Sequence, residues 1–62
     1  MDSQLYTAFR KAIMADIDKH SIRQESELKQ LFLDWLAANP IEFHSVLLQV
    51  ISDIELELGV EL

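Results

Sequence analysis

One proline and one glycine, Pro40 and Gly59, are the only strong punctuation in this chain. Those two residue types supply most tight turns and helix stops. A chain with one of each has few places to reverse direction. That excludes an all-β fold, which needs a turn every few residues. Half of the residues are apolar, so the chain is not the polar, highly charged type that stays disordered. Long helices joined by short corners remain.

With 62 residues the chain forms a single helical domain, residues 1–62. A chain of this size buries only about 60% of its unfolded surface. It has no cysteine, which removes disulfides and thiolate zinc sites as sources of stability. Tight helix packing or oligomerisation must supply it.

Three segments carry helical periodicity. The first, about 3–20, opens with Asp2 or Ser3 as cap and repeats Leu5, Phe9, Ala12, Ile13 and Ile17 on one stripe. The second, about 22–38, follows Ser21-Ile22-Arg23-Gln24, whose spacing fits a capping box. Leu28, Leu31, Phe32, Trp35 and Leu36 form its stripe, and Glu25 and Lys29 make an i,i+4 pair. The third, about 40–58, starts at Asn39-Pro40-Ile41-Glu42 with Asn as cap and Pro at the first helical position. Phe43, Leu47, Val50, Ile51, Ile54 and Leu58 form its stripe, and Gly59 supplies the stop. The predicted architecture is all-α, a compact three-helix bundle that associates as a dimer. An intertwined helical dimer is the second possibility.

Charge is unevenly distributed. Eleven acidic residues face five basic ones. Every base lies within residues 1–29, which also hold five acids. Residues 30–62 hold Asp34, Glu42, Asp53, Glu55, Glu57 and Glu61 and no base. Asp53, Glu57 and Glu61 are spaced i,i+4, so like charges lie side by side near a helix C-terminus, where the helix dipole favours cations. Such a conflict marks either a solvated face that keeps copies apart or a surface for something basic.

Apolar residues are also in surplus, more than a three-helix interior holds. On a helical wheel Leu56 opposes the stripe of the third segment, Leu48 and Ile41 flank it, and Met14 opposes the stripe of the first. Isolated exposed leucines are ordinary. Together with the composition they predict a partner surface, made of Met14, Leu48, Asp53, Glu55, Leu56, Glu57 and Glu61.

The sequence offers little for catalysis. Asp16 and His20 are spaced to pair, which predicts an ion pair at a helix end rather than two-thirds of a triad. Glu42 and His44 point to different sides of a helix, and the metal signatures of two histidines at one-turn spacing are missing. A phosphate loop needs several glycines. No catalytic, metal or cofactor site is predicted, and no small-molecule substrate. No apolar stretch approaches the roughly 18 residues that span a membrane. The first residues, Met-Asp-Ser-Gln-Leu-Tyr, do not resemble a secretory signal, so a cytoplasmic location is expected.

The expectation is therefore a small, acidic, non-enzymatic regulator or adaptor. Its partners would be a second copy of itself, a larger protein with a basic patch, or both. One alternative is a DNA imitator that blocks a nucleic-acid-binding protein. Another is a helix-turn-helix built from the second and third segments, disfavoured because that half lacks cations for phosphate contacts.

Overall fold

The computed structural model describes residues 3–59. Helix α1 spans Ser3–Lys19, α2 spans Glu25–Ala38 and α3 spans His44–Leu58, with a 3-10 turn over Ile41–Phe43 leading into α3. The described chain is an all-helical bundle of three helices. Its radius of gyration, 10.9 Å, matches the about 10–11 Å of a compact chain this long. No helix among the described residues is long and apolar enough to cross a membrane.

Helix α3 lies at the centre. It supplies Val46, Leu47, Val50, Ile51 and Ile54 to a core completed by Ile13 of α1 and by Leu28 and Phe32 of α2. The α3 residues recur at i, i+1, i+4, i+5 and i+8, a face wide enough for two neighbours. Accordingly α1 and α2 both pack on α3 and approach each other only weakly. Around the core, Phe9 of α1 sets its ring edge-on to Trp35 of α2, centroids 6.3 Å apart, and lies 6.1 Å from Phe43. Leu58, expected on the core stripe, is 46% exposed in the last turn.

Both corners differ from the expected capping. Ser21 does not start α2. It takes the left-handed conformation (φ 51°) and ends α1. The Ser21 N–H donates to Asp18 O at 3.2 Å and the Ile22 N–H to Ile17 O at 3.1 Å, which is the paired bonding of a Schellman stop. Ile22 then packs against the core, so the chain leaves the helix here to bury it. Helix α2 begins only at Glu25, after an extended Gln24 whose side chain makes no capping bond. Asn39, expected to cap the third helix, instead closes the second. Its Nδ2 donates to Trp35 O at 2.7 Å and its N–H to Leu36 O at 3.4 Å. His44, the first residue of α3, reaches back to the same end, its Nε2 lying 2.7 Å from Leu36 O and 3.0 Å from Asn39 O. Both partners are carbonyls, so Nε2 carries the hydrogen. Pro40 is extended and precedes the 3-10 turn rather than forming a first helical turn. Gly59 does what its type implies: at φ 71° it ends α3 left-handed.

Two polar ties set how α1 meets α3. The Tyr6 hydroxyl donates to Asp53, and Arg10 forms a salt bridge with Glu57. Both pairs are separated by 47 residues. Equal offsets mean that α1 and α3 run parallel, and one turn of α1 matches one turn of α3. Asp53 also accepts from Gln49 Nε2 at 3.0 Å. Two of the repeated acids that looked like an unrelieved conflict, Asp53 and Glu57, thus have donors, placed a turn apart on the neighbouring helix. Met14 lies one turn beyond Arg10 on this face and packs, half-buried, against the core, contrary to its expected outward position. The expected Glu25–Lys29 pair is not formed among the described residues, where Arg10–Glu57 is the salt bridge.

The Tyr6 tie has a pH signature. Its hydrogen bond to Asp53 comes first among the causes that raise its pKa above the ordinary 10.0, with burial and the Asp53 charge adding to it. The folded state therefore favours the protonated phenol. The resulting stability is full below the unfolded value and is lost as pH rises through the folded one. Tyr6 is the chain's one tyrosine, so phenolate absorbance reports it alone. Its midpoint is expected above that of an unstructured tyrosine peptide, and Asp53→Asn to lower it. Tyr6→Phe is expected to remove a component of the alkaline loss of stability. An ordinary midpoint unmoved by Asp53→Asn would show that the tie does not form in solution.

Candidate protein-binding surfaces

The outer face of α3 opposes the core positions Leu47 and Ile54. Ser45, Leu48, Ser52 and Leu56, spaced three, four and four residues apart, run along it, and all are exposed. Leu48 is 54% and Leu56 78% exposed, and Ile41, in the turn before the helix, is 84% exposed. The stripe carries no charge, although the chain's formal net charge is −6. Gln49 borders it on one side and the half-buried Glu55 on the other. Two of the four positions are serines, so another helix could approach closely.

Of the seven residues expected at a partner surface, Leu48, Leu56 and Glu55 come together on or beside this face. Asp53 and Glu57 do not join them. They turn toward α1 and its Tyr6 and Arg10. Met14 lies against the core. Glu61 falls outside the described residues.

A second surface lies beside the end of α1 and along α2. Two adjoining hollows of about 470 and 390 Å³ share Leu31 and Asp34 and make one open groove. Asp16 and Trp35 meet in the first, His20 and Ile22 in the second. Trp35 Nε1 donates to Asp16 Oδ2 at 3.1 Å, which ties α2 to α1 and fixes the indole. This bond replaces the expected Asp16–His20 ion pair: His20 uses Nδ1 on the backbone carbonyl of Asp16, 3.0 Å away. Gln30 Nε2 donates to Asp34 Oδ1 at 2.9 Å and steadies that carboxylate.

Spacing alone did not single out this groove, because Leu31 and Trp35 fit the core stripe of the second segment. The signal was present as excess width. Leu31, Trp35 and Ala38 stand at i, i+4 and i+7, a second line beside Leu28 and Phe32. Only that inner pair is fully buried. Among the described residues no three histidine or carboxylate side chains are grouped to hold a metal ion.

The chain matches no protein family, no curated protein and no solved structure.

Proposed function

We propose that this protein is a small, non-enzymatic protein-binding regulator or adaptor that works as a homodimer through the outer face of α3. The observation that carries this reading is the uncharged stripe of Leu48 and Leu56 left open to solvent in an otherwise acidic molecule. Burying exposed apolar surface drives association at about 25 cal/mol per Å². A second copy brings the same negative charge, so the favourable place for it to dock is a stripe free of charge. Two-fold pairing makes one patch serve both subunits. Occlusion of a larger partner's surface is the mode of action this arrangement supports. The other reading, imitation of nucleic-acid phosphates, relies on carboxylates of which two, Asp53 and Glu57, already have donors on α1.

The test is light scattering and sedimentation over a range of concentrations. The native chain is expected to approach twice its 7.2 kDa monomer mass. Leu56→Lys is expected to weaken association at least about tenfold, since it buries a charge where apolar surface was covered. Helicity should not change, because Leu56 makes no part of the core. A native chain that stays monomeric at every concentration would overturn the dimer, and equal loss of helicity and association would overturn the exposed placement of Leu56.

A further inference from the structure

We infer that the groove between the end of α1 and α2 is a docking site for a basic amphipathic helix of another protein. The argument stands apart from dimerisation, because the groove and the α3 stripe share no residue.

The floor is apolar. Ile22, Leu31, Trp35 and Ala38 line it. The rim is acidic: Asp16, Glu27 and Asp34 line the same two hollows, and no lysine or arginine does. An apolar trough walled by carboxylates complements a helix with one apolar face and flanking cations, which is the helix-in-groove mode of recognition. The length also fits. From Glu27 to Ala38 the wall rises about 16 Å at 1.5 Å per residue, which accommodates about three turns of an incoming helix. Such a helix would seat apolar anchors at i, i+4 and i+7 on Leu31, Trp35 and Ala38 and set lysines or arginines against Asp34 and Glu27.

Charge selects among the possible occupants. Nucleic acids and anionic lipid surfaces would meet carboxylates, so both are disfavoured. A second copy carries a formal charge of −6 and is repelled overall. The bonds already present prepare the site. Asp16 holds the indole and Gln30 holds the Asp34 carboxylate, so an arriving helix has fewer groups to order.

The test uses a synthetic Leu/Lys amphipathic helical peptide without aromatic residues. Trp35 is the chain's one tryptophan and lines the groove, so its fluorescence reads occupancy at the site. Saturable one-to-one binding with a blue shift is expected. The exposed pair Glu27→Lys and Asp34→Lys should weaken it at least about tenfold, as loss of paired charges does at an interface. Glu42→Lys, an exposed acid that lines neither hollow, should leave affinity nearly unchanged, and so should Leu56→Lys.

Far-ultraviolet circular dichroism of each variant confirms an intact fold. Three results would overturn the inference: no change in Trp35 emission with the peptide, equal binding of a Lys/Ser peptide without apolar anchors, or equal weakening by Glu42→Lys. Self-association that shifts Trp35 emission and is abolished by Asp34→Lys would assign the groove to a second copy instead.

Discussion

At concentrations low enough to keep the chain monomeric, Leu47→Ala is expected to lower the unfolding free energy by about 3 kcal/mol, whereas Leu48→Ala, one residue along, lowers it by less than about 0.5 kcal/mol. The residues differ only in the direction they face. Leu47 has 0% of its surface exposed and sits among Val50, Ile51 and Ile54 in the helix that both neighbours pack on. Truncation there removes apolar transfer energy and leaves a cavity that the surrounding side chains fill only in part. Leu48 is 54% exposed and leaves no cavity. A chain of 62 residues holds roughly 3–9 kcal/mol in total at the usual stability per residue, so the first variant loses a large share of what it has. Urea denaturation followed by circular dichroism measures both. Similar losses at the two positions would mean that α3 presents a different face to the core.

Trp35→Ala is expected to cost about 2 kcal/mol, less than the 3–5 kcal/mol typical of a fully buried aromatic, because the indole is half-buried. Three contributions combine: partial apolar burial, the edge-on contact with Phe9, and the bond to Asp16. Trp35→Phe keeps much of the first two and loses the third. It is expected to cost about 1 kcal/mol, the usual net value of a hydrogen bond. Because both variants lack the tryptophan, the measurement is again by circular dichroism rather than fluorescence. Equal costs for Ala and Phe would show that the hydrogen bond, and not the ring packing, joins α1 to α2. No cost for either would show that the indole is not engaged.

Much of the fold was legible in the residue pattern. The helices of α1 and α3, and the left-handed stop at Gly59, follow from apolar periodicity and from the one residue type free to adopt a positive φ. The corners were less legible, and both failed in the same way. Ser21 and Asn39 were expected to open the helix that follows, and each closes the helix before it. Polar residues of these types serve either end of a helix, and local spacing does not distinguish the two uses. At Ser21 the choice goes with the burial of Ile22, which sends the chain out of α1 before α2 begins. At Asn39 it goes with His44, which closes the same end from the far side of the turn.

The candidate surfaces divide along the same line. Leu48 and Leu56 could be placed outside from spacing, because a helix with a strong core face has a definite opposite side. The groove could not, since an apolar residue at a core position is covered only where a neighbour actually arrives. Along the outer side of α2, α1 reaches Trp35 through Phe9 and Asp16 and leaves Leu31 and Trp35 half-buried.

Local rules, each acting over a turn or two of backbone, were sufficient to make this chain three helices with a wide apolar face on the last. What Asp53 and Glu57 are for was beyond their reach. Along α3 these carboxylates repel each other. Beside α1 they meet Tyr6 and Arg10, 47 residues away in sequence and in direct contact in space. An electrostatic conflict within one helix is resolved only by the identity and direction of the helix beside it, and packing alone determines which helix that is.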